Sequence, residues 1–261
     1  MLTRIISGVV MIVIVAAVLF INPFCPAVTI GFLAVLSGIA VYESLHNTGV
    51  IKNKVMLCGA VVFTAGNLVL YGYLPGVVAT STVLYVLFVV GCALIFHKTL
   101  SYEKITAVIA MPIILCYAFS CIYMVLNTYG LAFLFLVLNF SCICDSGAYF
   151  VGVTLGRHKL CPSISPKKTV EGAVGGVALS LVATVIIALC FNLKAYLAEL
   201  LIFTPVLCVV GMAGDLFASV IKRNVGIKDY GNLIPGHGGI LDRFDSILLI
   251  APAFVGLLEI F

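Results

Sequence analysis

Residues 77–97 read VVATSTVLYVLFVVGCALIFH. No Asp, Glu, Lys or Arg interrupts this run, and its length is that of a helix crossing the hydrocarbon core of a bilayer, about 20 residues. Runs of the same kind recur at 4–21, 27–46, 55–73, 105–126, 131–152, 172–191, 200–221 and 241–260. The whole composition agrees. Of 261 residues, 63% are apolar and 9% charged, against roughly 45–50% and about 25% in soluble domains. Mean hydropathy is +1.28. A disordered chain, a nucleic-acid-binding domain and an ordinary soluble enzyme are excluded, because too little polar surface exists to cover a globule of this size. The alternating strands of a membrane barrel are absent, and only helices then satisfy the backbone inside lipid. The expected fold is all-α: a polytopic integral membrane protein with about nine transmembrane helices.

The basic residues set the expected topology. With the N-terminus in the cytosol, the inner side holds Arg4, Lys52, Lys54, Lys98, Lys104, Arg157, Lys159, Lys167, Lys168, Lys222, Arg223, Lys228 and Arg243, and the outer side only Lys194. That asymmetry is the positive-inside pattern. The first span has a basic start but no small-residue cleavage site behind it, so it reads as a retained helix. The ten cysteines fall mostly inside apolar runs and read as small core residues.

Polar chemistry is concentrated in the back of the chain. Residues 1–135, read as supporting lipid-facing helices, hold only Glu43 and Glu103 as acids, and Glu43, with Tyr42, His46 and Asn47, reads as interfacial. Residues 136–261, read as the catalytic region of one membrane domain, hold Asp145, Glu171, Glu199, Asp215, Asp229, Asp242, Asp245 and Glu259. An Asp at the centre of a span costs roughly 2.5–3.5 kcal/mol on insertion, so Asp145 and Asp215 are expected to face a partner or a wet cavity. Asp242 and Asp245, three apart at the start of the ninth run, are expected to share one helix face. Simple capping of that helix is the plainer reading for the pair; for Asp215 it fails, since no element ends there.

Two polar connections carry the motifs. The first contains Ser165-Pro166-Lys167-Lys168-Thr169-Val170-Glu171-Gly172. Ser165-Pro166 is expected to stop regular structure and Lys167-Lys168-Thr169 to open the next span, where free N–H groups, ammonium groups and hydroxyls would hold phosphate. The second runs from Gly214-Asp215 through Ser219, Lys222-Arg223 and Lys228-Asp229 to His237-Gly238-Gly239 and Asp242-Arg243-Phe244-Asp245. Cations suit polyphosphate, carboxylates suit Mg²⁺ shared with substrate phosphates, and glycines let backbone N–H groups approach phosphate closely. Such a mixture points to a nucleotide–metal site; a patch binding lipid headgroups alone would lack the acids. No Walker A sequence, H-E-x-x-H or G-x-S-x-G is present.

Ser219-x-x-Lys222-Arg223-x₄-Lys228-Asp229-x-Gly231-x₂-Ile234-Pro235-x-His237-Gly238-Gly239-x-x-Asp242-Arg243-x-Asp245 resembles the signature of phosphatidate cytidylyltransferases, also called CDP-diacylglycerol synthases. Asp145-Ser146-x-Ala148-Tyr149 and the Ser165–Gly172 segment are similar to that family's other recurring stretches. The resemblance covers roughly the last 120 residues; the front half is similar only in being apolar. It implies synthesis of CDP-diacylglycerol and pyrophosphate from CTP and phosphatidic acid, with Mg²⁺ and room for a second metal or a monovalent cation. Asp215, Asp242 and Asp245 would bind metal, with Asp215 and Asp242 foremost. Lys167, Lys168, Lys222, Arg223 and Arg243 would neutralise phosphates. Ser165, Thr169, Ser219, Lys228, Asp229, His237, Gly238, Gly239 and Asp145 would line the substrate site, His237 either donating to a phosphate or shaping a turn. The resemblance also implies a homodimer; Gly172, Gly176 and Ser180 allow close helix contact within one chain or between two. The short chain and short loops lean towards a bacterial inner membrane, and the basic loops put the active site on its cytosolic side. Two other readings stand: a CTP-dependent transferase acting on another membrane lipid, and an ion-coupled transporter using Asp145 and Asp215.

Overall fold

The computed structural model describes residues 2–260; the Arg4 side chain, counted above to the inner side, lies outside what is described. Helices dominate, in the order α1 (Leu2–Ile21), α2 (Pro26–Tyr42), α3 (Lys54–Tyr73), α4 (Val78–Ile95), α5 (Tyr102–Met124), α6 (Leu131–Leu138), α7 (Cys144–Leu155), α8 (Val170–Cys190), α9 (Leu197–Asn224), α10 (Leu241–Phe244) and α11 (Ile247–Ile260). Among the described residues seven helical stretches are long and apolar enough to span a membrane: Pro26–Asn47, Lys54–Tyr73, Pro75–Ile95, Tyr102–Tyr129, Leu131–Leu155, Val170–Cys190 and Lys194–Asn224. Ile5–Ile21 and Ile247–Ile260 are shorter apolar helices. Each expected run thus finds a helix, while the length of a full span is met by seven.

Local chemistry explains the ends. Asn53 caps α3, its Oδ1 accepting from Val55 N at 2.9 Å, and Pro26 opens α2 at a position where no N–H is needed. Three π-helical turns interrupt the regular winding, at Glu43–Asn47, Val125–Tyr129 and Asn139–Ile143. Such bulges reorient the side chains they carry.

Two expectations are corrected. The fold is not purely α-helical: β1 (Lys159–Cys161) and β2 (Ser165–Thr169) pair antiparallel, with Lys159 opposite Thr169 and Cys161 opposite Ser165. Ser165-Pro166 therefore begins a strand instead of ending regular structure, which a two-stranded ribbon tolerates because both of its strands are edges. The ninth run is not one helix either. It breaks at Asp245-Ser246, leaving the single turn α10 and then α11, whose 14 residues extend only about 21 Å. Asp242 and Asp245 accordingly do not share a helix face.

The chain forms two compact units. The first comprises residues 1–123 and 225–243, the second residues 124–224 and 244–261. In the first, α2 packs on α3, α3 on α4 and α1 on α2. In the second, α7 packs on α8, and α9 on both α8 and α11. The Gly172–Gly176–Ser180 stripe is used inside the chain: a Cβ on Gly176 would stand 2.5 Å from Cys144 O, and one on Gly172 2.6 Å from Ala148 O. A buried polar chain ties the same unit together, Asn139 Nδ2 donating to Ser180 O at 3.0 Å and to Thr184 Oγ1 at 2.9 Å, with Thr184 meeting Thr204 at 2.9 Å.

Candidate active site

The second unit gathers opposite charges around a small cavity. Asp145 on α7, Lys167, Lys168 and Thr169 on β2, and Asp215 on α9 line about 290 Å³ of space. Lys168 Nζ lies 2.7 Å from Asp215 Oδ2, both side chains part-exposed. The ribbon is held in place from both ends. Thr169 Oγ1 accepts from Gly172 N at 3.1 Å, capping α8, and Glu171 accepts from Arg157 N, His158 N and His158 Nδ1. Glu171 is thus a brace for the turn before β1, which accounts for the Thr-x-Glu spacing.

On α9, Asp215, Ser219 and Lys222 follow at intervals of four and three, one face of a helix. Lys222 is buried, and it and Arg223 close the last turn, where cations oppose the helix dipole. Gly211 and Gly214 let the chain after the break in the ninth run come close: a Cβ on Gly214 would stand 2.9 Å from Asp245 O, and one on Gly211 2.7 Å from Ile250 Cδ1. Asp245 therefore sits in the field of the α9 carboxylate. Burial, then Asp215, pushes its carboxyl up to about 7, with Lys222 opposing. A buried carboxyl beside another acid is raised in this way, and such perturbed groups cluster at functional sites.

The first unit builds the signature loop. Ile234-Pro235-Gly236-His237 closes a turn, His237 N donating to Ile234 O at 2.9 Å with Gly236 at φ +79°; proline second and a left-handed glycine third is the pattern of a type II turn. Ile234 N returns to Gly238 O at 2.9 Å, and Gly238 has φ +86°. Lys228, Asp229, His237, Gly238 and Arg243 line a concavity of about 520 Å³ over this turn. Ser7 Oγ donates to Pro235 O at 3.0 Å and lies 2.9 Å from His237 Nδ1.

Beneath the loop, two carboxylates satisfy its backbone. Asp242 is 7% exposed, and its Oδ2 accepts from Tyr230 N at 2.7 Å and Gly239 N at 3.0 Å. Glu43, from the π turn after α2, is 2% exposed; it accepts from Ile240 N at 3.1 Å and Leu241 N at 2.8 Å. Three successive N–H groups, Gly239 to Leu241, are therefore bound by these two side chains. Asn47, one turn on, donates to Tyr230 O at 2.8 Å. The interfacial reading of Glu43 is overturned, while Asn47 stays exposed: lone buried charge is costly, and the loop's free N–H groups are what makes the burial of Glu43 tolerable. The glycines of the signature are the other half of the fit. A Cβ on Gly231 or Gly239 would stand 2.5 Å from Glu43 Oε1. The reading of the sequence missed Glu43 because its partners lie almost two hundred residues away; its one signal was an acid in an otherwise acid-poor half.

Among the described residues no group of three or more His, Cys, Asp or Glu side chains lies close enough to share an ion. Asp215 and Asp245 fall in the second unit and Asp242 in the first.

A family model described as "Cytidylyltransferase family" matches residues 2–261. A relative from Bacillus subtilis (strain 168), named phosphatidate cytidylyltransferase, is 48% identical over 136 residues, 52% of this chain and 51% of the relative. One of the same name from Staphylococcus saprophyticus is 49% identical over 108 residues, 41% of this chain and 42% of the relative. Another, from Staphylococcus epidermidis (strain ATCC 35984), is 42% identical over 123 residues, 47% of each. The aligned stretch spans about half the length of these relatives. Matched along almost its whole length, the chain belongs to the cytidylyltransferase family.

Proposed function

We propose that this protein transfers the cytidylyl group of CTP to phosphatidic acid, giving CDP-diacylglycerol and pyrophosphate, in a bacterial membrane with its N-terminus and basic loops on the cytosolic side. The observation that carries the reading is the Lys168–Asp215 pair at 2.7 Å, beside Asp145 in one cavity, in a chain whose relatives bear the name of that activity.

A phosphate oxygen of the lipid forms the new bond to the α-phosphorus of CTP. The bond from that phosphorus to the oxygen bridging to the β-phosphate breaks, and pyrophosphate leaves with the electron pair. The nucleophile is already an anion, so no strong base is needed. The barrier lies in bringing two polyanions together and in the charge growing on the leaving group. In the second unit Lys167, Lys168, Lys222 and Arg223 supply the opposing charge, with the Ser165, Thr169 and Ser219 hydroxyls orienting phosphates; in the first, Lys228 and Arg243 supply it beside the His237-Gly238 turn. Asp145 lines the cavity of the second unit and Asp229 the concavity of the first.

The residues fit a hard divalent cation. The donors are carboxylate oxygens, and Asp245 is raised by burial and by the Asp215 charge near it. Asp215 and Asp245, both in the second unit, would hold Mg²⁺, with substrate oxygens completing its shell. The ion would withdraw charge from the phosphates and the leaving pyrophosphate.

The test is pyrophosphate release by the full-length protein in detergent with CTP, with phosphatidic acid present or omitted, in Mg²⁺ or EDTA. Release that needs lipid and Mg²⁺ and vanishes in Asp215→Asn supports the reading. Turnover with a different lipid phosphate alone would move the substrate, and none with any lipid from a folded protein would sink it.

A further inference from the structure

A phosphate-bearing lipid asks two things of a protein: cations for its headgroup and an apolar trough for a chain. The first unit holds both side by side. Beyond the loop concavity, a second hollow of about 630 Å³ lies against α2 and α3. Its walls are Ala34, Val35, Gly38 and Ile39 on α2 and Val61 and Ala65 on α3. Its other end is polar, with Glu43, Asn47 and Asn232. Along α2 the apolar lining thus lies one to three turns further into the span than the polar lining.

Small side chains leave the space open. A Cβ on Gly38 would stand 3.4 Å from Val61 Cγ1 and 3.9 Å from Ala65 Cβ, so any larger residue there would fill the hollow. Asn232 also lines the loop concavity, where Lys228 and Arg243 face Asp229 and His237. One residue therefore joins an apolar trough to a predominantly basic bowl.

We propose that the trough seats an acyl chain of a membrane lipid whose phosphate occupies the bowl, with Asn232 at the junction between chain and headgroup. The assignment rests on the lipid-phosphate reading above. Charge complementarity selects the occupant: the polar end of the trough leads to Lys228 and Arg243, which suit an anionic headgroup. An apolar helix of a second copy would leave those cations unanswered. Zwitterionic lipid would gain less from the bowl than an anionic phosphate would.

The sequence contains no tryptophan, so one inserted indole is a unique reporter. Val35→Trp places it in the trough, where Val35 is already 61% exposed. Val62→Trp, at a site 64% exposed and outside the trough, is the control. The full-length variants are reconstituted in phosphatidylcholine vesicles carrying a small, equal mole fraction of chain-brominated phosphatidate or chain-brominated phosphatidylcholine. The trough predicts severalfold stronger quenching of residue 35 by brominated phosphatidate, with no such preference at residue 62. Equal quenching at residue 35 by both lipids overturns it.

A second variant guards against a reporter that fails to fold. Ala65→Leu should raise KM for long-chain phosphatidate severalfold relative to short-chain phosphatidate, with KM for CTP unmoved; an equal effect on both chain lengths overturns the trough. Turnover by the unaltered protein separates the two ideas. Selective quenching without CTP turnover keeps the trough and ends the transferase reading; turnover without selective quenching does the reverse.

Discussion

The loop of the first unit and the charged cavity of the second use the same residue types to opposite ends. In the loop, acids meet backbone. Glu43 and Asp242 accept from Tyr230, Gly239, Ile240 and Leu241 N–H groups, and the result is a shaped, satisfied turn. In the cavity, acids meet charge. Lys168 pairs with Asp215, and nearby Asp245 is pushed up to about 7, first by its burial and then by the Asp215 charge. A carboxylate bound by N–H groups is an architectural part, while carboxylates crowded on one another are poised to accept a cation. Identical side chains thus differ in role because of what faces them.

The sharpest way to break this contrast is to neutralise one acid of each kind. Asp215→Asn should lower kcat by ~10²–10³-fold, the loss that follows removal of a group acting on developing charge, with the melting temperature little changed because the Lys168 pair is part-exposed. A steady-state pyrophosphate assay and a melting curve on the same sample decide it; a large drop in stability instead would make Asp215 architectural.

Glu43→Ala should do the reverse. Each buried N–H left without an acceptor costs about 1–3 kcal/mol, and two are left, at Ile240 and Leu241. Stability should fall clearly, and hydrogen exchange at those two amides should accelerate. Activity should also fall, by up to ~10²-fold, since a loop displaced by about an ångström misplaces what it presents. Unchanged exchange at Ile240 and Leu241 would contradict the brace.

Gly239→Ala probes the same contact from the other side, because its Cβ would stand 2.5 Å from both Glu43 oxygens. It should reproduce most of the Glu43→Ala stability loss, and the double variant should cost much less than the two losses added, as coupled neighbours do. Full additivity would show the two residues acting separately.

Asn47→Ala removes one hydrogen bond, to Tyr230 O. About 1 kcal/mol of stability and a small change in kcat are the expected effects, read by melting and turnover. An effect as large as that of Glu43→Ala would mean that the loop hangs on Asn47 and not on the carboxylate.

Much of this was legible beforehand. The apolar runs each became helical, since hydropathy over about 20 residues is a local property of the chain. Asp215 inside a helix, away from its ends, was readable from the run alone, whereas Lys222 and Arg223, set in the following connection, belong to the last turn of α9. The ninth run misled for the same reason: its hydropathy is continuous across Asp245-Ser246, whereas its backbone is not. The Lys167-Lys168-Thr169 stretch was rightly tied to the next helix start, but its strand depends on pairing with Lys159–Cys161, a contact that periodicity does not register.

What the sequence by itself determined, then, is the solvent of this protein and the chemistry of its signature: helices for lipid, cations and carboxylates for phosphate. Tertiary structure alone decided what each acid does. Glu43 looked like an interfacial residue of a bland half until Ile240 and Leu241 N–H were seen on its oxygens, and Asp245 falls in the turn after α10, outside the helix that carries Asp242. The physical reason is that a carboxylate's role depends on its partners within about 3 Å, and those partners here come from segments far apart along the chain.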